Sequence, residues 1–208
     1  ILADDFPENW NGYSMSLSEA TLFGQNEALT TVYVPNSKIL KSFSSVNSAS
    51  ARRKILYNNR HSIIKGCIKL LEDNQPENAM CEYLEYSIKS WMKGDFQAAQ
   101  ALATNTLETL ITDLKLVKNN QGKGVRKVFK NEVNNDESML SIAAFVIAHS
   151  ILGVYKDWRK SNGDPQPKHF NRHASAHHVG KVQYTLVNSM QAMMLGTALL
   201  VSIHRGEL

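Results

Sequence analysis

The sequence predicts an all-α protein, a bundle of about five helices with a mostly irregular N-terminal arm. Two observations carry that expectation. From Ser48 onward, apolar residues recur at spacings of three and four with charged residues on the intervening positions, the pattern of amphipathic helices. Only Thr30-Thr31-Val32-Tyr33-Val34 is β-branched and aromatic enough to read as a strand, and Pro35 ends it. No repeat of fixed period is visible.

In chain order, residues 1–45 make the arm. Pro7, Gly12 and Gly24 interrupt any period there, and Trp10, Tyr13, Leu17, Leu22 and Phe23 are its candidate packing residues. One short strand at 30–34 would have to pair with the arm or with a second chain, unless the segment is simply extended. Residues 46–208 form the helical domain. Its first helix starts at Ser48 or Ser50, either of which suits an N-cap. It buries Ile55, Ile63, Cys67, Leu70 and Leu71, and ends at Asn74-Gln75-Pro76. Pro76 fits the first turn of a second helix, running to about residue 93 with Leu84, Ile88, Trp91 and Met92 inward. Gly94 closes that helix, and Asp95 caps a third, rich in Ala and Leu, over 96–118. Residues 119–124 carry turn chemistry. A fourth helix spans 136–160 around the apolar run 142–148, with His149 expected as a satisfied core histidine. Residues 161–167 break the chain before a last apolar helix over 182–204.

A chain of 208 residues can bury a substantial core without disulfide or metal staples. Its 43% hydrophobic and 20% charged content exclude a disordered chain. The net charge of +4 is compatible with an anionic partner such as RNA without requiring one. Cys67 and Cys81 lack metal-ligand spacing and read as free thiols of a reducing compartment, so a cytoplasmic location is expected. No secretory signal is visible, and the first residue is Ile1 rather than methionine, as in numbering that begins inside a longer or processed product. The most apolar runs, 139–155 and 190–203, are interrupted by Ser, His, Gln or Gly. They fall short of the roughly 18–20 clean apolar residues of a membrane span, so both read as buried core helices and no membrane partner is expected.

Titratable chemistry concentrates in residues 169–178, where His169, His173 and His177 recur every four positions and His178 follows. On a helix, Arg172 and His177 stand roughly 140° apart around the axis, so they share a cleft only at the helix start. His173 and His177 share a face. A second basic group surrounds the 119–124 loop: Lys115, Lys118, Lys123, Arg126, Lys127 and Lys130. It reads as a solvated loop or, alternatively, as an RNA phosphate patch through Lys123, Arg126, Lys127 and Lys130. Phe129 is the one aromatic nearby that offers base stacking.

Arg172-His173-Ala174-Ser175-Ala176-His177 resembles the arginine–polar–x3–5–histidine signature of the HEPN superfamily, written R-x4-6-H; His178 also satisfies the spacing. Phe170-Asn171-Arg172-His173, Ala176-His177, Tyr184, Asn188 and Met193-Met194-Leu195 are similar to a pattern in uncharacterised bacterial proteins, where the motif precedes an apolar terminal helix. The resemblance implies a metal-independent endoribonuclease, needing no cofactor and active as a homodimer with two motifs facing one another. His177 would be the general acid/base, Arg172 would stabilise the phosphorane-like transition state, and His173 would orient the pair, with His178 and Asn171 auxiliary. Such domains serve as toxins or antiviral effectors, which implies an antitoxin or sensor partner. Histidine titrates near neutrality and arginine grips phosphate with a fork of donors, so the residue types suit this chemistry.

Two other readings stand beside it. Arg172 and the histidines can serve structural hydrogen bonds or a dimer seam in a noncatalytic HEPN-like binding module. In that case Arg172 would pair with an internal carboxylate and His177 would have no open space beside it. Alternatively, His169, His173 and His177 can ligate a metal, although His169 sits close to Pro167, ahead of the helix. Gly122-Lys123-Gly124 lacks the spacing and Ser/Thr of a phosphate-binding loop, and no Gly-x-Ser-x-Gly elbow occurs.

Overall fold

A computed structural model describes residues 6–11, 15–135, 140–177 and 180–208. Among them the chain forms eleven α-helices and no strand: α1 (Leu17–Glu27), α2 (Ser37–Ser44), α3 (Ala49–Asn58), α4 (Arg60–Asn74), α5 (Ala79–Met92), α6 (Phe96–Asp113), α7 (Lys115–Lys118), α8 (Val125–Val133), α9 (Ile142–Val154), α10 (Arg172–His177) and α11 (Leu186–His204). The all-α class is as expected, but five helices was an undercount.

The axis of the fold is α11. It packs against α3, α4, α5, α6 and α9, and every residue over 187–202 is buried. It is long and apolar enough to cross a membrane, but here its length is spent inside the protein. A helix apolar on all sides has to be enclosed, and its neighbours supply that enclosure. Thr185, not residue 182, starts it, with its side chain accepting from the Asn188 N–H.

The arm differs most from expectation. Ser16 and Glu19 close a capping box at the head of α1, and Asn36 caps α2. Helix α1 lies on α9 at a glycine crossing. A Cβ at Gly24 would stand 2.8 Å from the Ser150 amide nitrogen, and one at Gly153 would overlap the Gly24 carbonyl oxygen. Both glycines, read as breakers or left unread, are there to let two backbones touch. The stretch 30–34 is a buried bend. Trp10 Nε1 and Asn9 Nδ2 donate to the Thr31 carbonyl, and Tyr33 N–H donates to Asn9 Oδ1. Its backbone partners are thus side chains rather than a neighbouring strand, which is why β-branched residues did not yield a strand here. Phe23, Leu29, Val32, Leu40 and Phe43 join the same hydrophobic cluster as α5, α6, α9 and α11. Leu22, by contrast, faces solvent.

The first long helix expected is two. Ser48 caps α3, as one of the two candidates predicted, but the chain kinks at Asn59, whose Nδ2 donates to the Ile55 carbonyl. Arg52 ties α3 to α1, donating from Nε and Nη2 to Glu27 at 2.5–3.0 Å and from Nη1 to the Val46 carbonyl at 2.7 Å. Helix α5 starts at Asn78, and Gly94 follows it with φ 90° as expected; Met92 points outward instead of inward. The third expected helix ends early, because Leu114 turns extended and leaves the short α7. Helix α8 was unforeseen; Val128 and Phe129 are its buried pair. Ser141 caps α9, five residues after the expected start, and residues 136–139 lie outside the described ones. His149 is only half satisfied: it meets Phe145 edge-on, while its buried Nδ1 has no partner.

Candidate functional site

Between α9 and α11 the chain runs from residue 155 to 185, and among the described residues α10 and one 3-10 turn are its regular structure. What fixes it is a set of buried amides. Asn171 caps α10, its Oδ1 accepting from the Ala174 N–H at 2.9 Å, while its Nδ2 donates to the Lys156 carbonyl at 2.8 Å. Gln183 is fully buried and donates to the Pro167 and His169 carbonyls; its Oε1 accepts from the Asn171 N–H and the Ser175 hydroxyl. Gln191 of α11 accepts from the Phe170 N–H, and Asn188 donates to the Gln183 carbonyl. Arg53 completes the set by donating to Asn188 at 2.8 Å and Gln191 at 3.3 Å. An irregular backbone can be buried only if its amides find partners, and these side chains supply them. Asn171, assigned as auxiliary to chemistry, therefore positions the helix that carries it.

On α10 the two faces diverge as the helical geometry requires. His173 and His177 lie side by side, their rings stacked with centroids 6.3 Å apart and planes 15° from parallel. They line one cleft of about 240 Å³, shared with Asp157, Trp158 and Arg159 from the segment just after α9. His177 is exposed and His173 half-buried, edge-on to Tyr155 at 6.0 Å. Burial first, then the Arg172 charge, holds His173 below the ordinary histidine range, so it is neutral at neutral pH.

Arg172 turns the other way. Its Nε donates to Glu108 Oε2 at 3.0 Å and its Nη2 to Oε1 at 3.3 Å, and Tyr155 donates its hydroxyl to the same carboxylate. Burial and then Glu108 push the Tyr155 hydroxyl pKa upward, keeping it a donor. Arg172 is not among the cleft's lining residues. Of the two structural expectations for a noncatalytic module, the internal carboxylate is met and the blocked His177 is not.

The other candidates are dispersed. His178 lies outside the described residues. His169 lies outside the cleft, with its buried Nε2 unpartnered; burial, then Lys156 and Arg53, push its pKa down to about 4. Among the described residues no three His, Cys, Asp or Glu side chains converge to hold a metal, so the His169–His173–His177 set does not form. In the basic group, Lys123, Lys127 and Lys130 are exposed, and Lys123 Nζ donates to Asn120 Oδ1. Arg126 reaches Asp157 at 3.7 Å, which links this group to the wall of the cleft. Phe129 is buried completely and cannot stack on a base. Both cysteines are free; burial raises Cys67 to about 12, leaving it an inert thiol.

Glu108, Tyr155, Asp157, Trp158 and Arg159 were missed in the sequence. Trp158-Arg159 beside Asp157, just past an apolar helix end, is a visible cue in retrospect, whereas Glu108 in mid-helix gives none. Comparison with protein-family models, curated proteins and solved structures finds no match to this chain.

Proposed function

We propose that the cleft between α10 and residues 157–159 is the active site of a metal-independent endoribonuclease of HEPN type. It would cleave RNA by attack of the 2′-hydroxyl, leaving 2′,3′-cyclic phosphate and 5′-hydroxyl ends. The observation that carries this reading is the pair of stacked imidazoles, His173 and His177, opening on a cleft with Arg159. RNA supplies its own nucleophile, so the protein has only to move two protons and hold a phosphate. His173, held below the ordinary histidine range by burial, accepts the 2′-hydroxyl proton as the oxygen attacks phosphorus; His177 gives a proton to the departing 5′-oxygen. Arg159 offers its guanidinium to the phosphate. Arg172 acts through His173, whose neutrality its charge favours. Lys123, Arg126, Lys127 and Lys130 extend the positive track along the strand. The proposal includes a homodimer and, for a toxin or antiviral effector, a partner that restrains it.

Its test is incubation of the protein with total RNA and excess chelator, beside His173→Ala and His177→Ala variants. We expect cleavage with cyclic-phosphate ends, reduced about 10²–10⁴-fold in each variant. The Arg172–Glu108 pairing favours a second reading, a noncatalytic HEPN-like binding module. Absence of cleavage together with unaltered RNA binding in both histidine variants would establish that reading instead.

A further inference from the structure

We propose that the cavity between the N-terminal arm and α4 is a binding site for a neutral sugar ring, either free or carried by a nucleoside. It shares no residue with the cleft beside α10 and does not rest on the reading of that cleft as an RNA site. The cavity measures about 350 Å³, larger than the cleft and within the range of about 300–1,000 Å³ typical of small-ligand sites. Three parts of the chain build it: the 3-10 turn Glu8–Trp10 with Asn11 after it, the bend 33–37, and one face of α4. Two of its wall residues are not ones that packing calls for. Gly66 lies in the middle of α4, where glycine is less favourable than alanine. At Gly24, Gly153 and Gly196 an added Cβ would press on backbone or on Leu84. At Gly66 it would meet only Val34, at 3.5 and 3.6 Å, an ordinary contact. The fold would accept alanine here, so what the glycine provides is room in the cavity. Tyr33 stands in the left-handed region at φ 63°, where a bulky residue is strained. Asn9 holds that bend, its Oδ1 accepting from the Tyr33 N–H at 2.8 Å and its Nδ2 donating to the Thr31 and Pro35 carbonyls at 2.9 and 2.7 Å. Both features lower stability, and both border the same cavity.

The lining sets the chemistry of the ligand. Each carboxylate on the wall already has a cation of the chain: Lys69 is 2.7 Å from Asp73, and Arg205 is 3.7 Å from Glu8. Charges paired internally select neither an anion nor a cation. The groups left over are neutral. Among the described residues the Asn11 amide and the Ser37 and Ser62 hydroxyls have no side-chain partner, and Asn36, whose Oδ1 caps α2, keeps its Nδ2 free. A hydroxyl both donates and accepts, and an amide carries donors and an acceptor, so this set matches a ligand with several hydroxyls of its own. Val34, Pro35 and Leu70 supply apolar surface beside them. A sugar ring has the same two aspects, hydroxyls around its edge and C–H groups on its face. A phosphate would meet two carboxylates instead, and a wholly apolar ligand would cover the amides and hydroxyls without pairing them.

Saturation-transfer difference NMR on the full chain tests this directly. The probes are D-glucose and D-ribose as free sugars, uridine as a nucleoside, and glucose 6-phosphate as the anionic counterpart. At least one neutral probe should receive saturation from the protein. Transfer to glucose or ribose identifies a free sugar as the ligand, and transfer to uridine alone identifies a nucleoside. Ser62→Ala removes one hydrogen-bonding group from an exposed turn of α4 and should weaken binding by about tenfold. Gly66→Ala puts a methyl group into the cavity and should weaken binding by about tenfold or more, while its melting temperature stays at or above that of the native chain. Affinity lost as stability is kept or gained separates a ligand cavity from a gap in the packing. No transfer to any neutral probe, equal affinity of the native chain and both variants, or tighter binding of the phosphate ester would overturn the proposal. A lowered melting temperature in Gly66→Ala would overturn it as well, because the glycine would then be a packing requirement.

Discussion

Arg172 and Glu108 meet through two hydrogen bonds, with Tyr155 donating to the same carboxylate, so the motif arginine is neutralised within its own chain. Both side chains are less than a third exposed, at 27% and 30%, so the pair is worth more than a surface ion pair. Glu108→Gln should lower stability by about 1–2 kcal/mol in urea unfolding, because it replaces charge-assisted bonds with neutral ones. On the proposed RNA-cleaving reading, the same variant should steepen the salt dependence of RNA binding, since the Arg172 charge is then uncompensated; an unchanged salt slope would place Arg172 outside the field of any bound phosphates. His169 supplies a second prediction at this scale. Its folded pKa of about 4 lies below the ordinary value of 6.5. Between those two values the unfolded chain binds a proton that the folded chain refuses. Its contribution is therefore fully present above pH 6.5 and is lost as pH falls towards 4, on the order of 3 kcal/mol in all. His149 and His173, also held low by burial, act in the same direction. His169→Leu removes an unpartnered buried nitrogen along with the titration. Its urea midpoint should change less between pH 7 and pH 5 than that of the native chain, and parallel pH profiles would refute the assignment.

Among the elements, the α1–α9 crossing is the most exacting contact in the fold. A Cβ at Gly153 meets backbone, which cannot rotate away as a side chain can. Gly153→Ala should cost about 3 kcal/mol or more, measured by urea or thermal unfolding. Gly196 in α11 is the control. Its added Cβ meets only the Leu84 side chain, so the strain is offset by the roughly 1 kcal/mol that alanine gains over glycine in a helix. A small effect at both positions would mean that the two helices can slide apart. This contrast also explains what the sequence could and could not reveal. Ser48 and Gly94 signal helix ends through local chemistry and were placed correctly as boundary residues, whereas Asp95 stands at the head of α6 as expected but makes no side-chain capping bond. Gly24 and Gly153 owe their role to each other across a long stretch of chain, and a local pattern contains nothing of that. The same holds for 30–34, where β propensity was real but Asn9 and Trp10 satisfied the backbone first. In the cleft, the His173–His177 face followed from four-residue spacing. The pairing of Arg172 with Glu108 did not, because it joins residues 64 positions apart.

At the scale of the molecule, α11 requires neighbours on all sides, and the N-terminal arm helps to supply them. Gln191 in α11 donates to the Glu27 carbonyl at 2.9 Å, and Arg52 grips the Glu27 side chain, so the end of α1 is bonded to both the core helix and α3. The arm also contributes Phe23, Leu29, Val32, Val34, Ile39, Leu40 and Phe43 to the shared core. Burying one such side chain stabilises a fold by about 1.5–3 kcal/mol, while a whole domain is stable by about 5–15 kcal/mol. A handful of these residues therefore matches the entire margin. Removing residues 1–45 would also open the face of α9 on which α1 lies and take Glu27 away from both the Gln191 Nε2 and the Arg52 guanidinium. A chain of residues 46–208 should keep helical far-ultraviolet circular dichroism but lose near-ultraviolet signal and a cooperative urea transition. Residues 1–45 would then be part of the fold itself, and the cleft, which is tied to α11 through Gln183, Asn188 and Gln191, would lose its geometry with them. A sharp transition in the shortened chain, with RNA binding retained, would instead make 46–208 an autonomous domain and the arm an attachment to it.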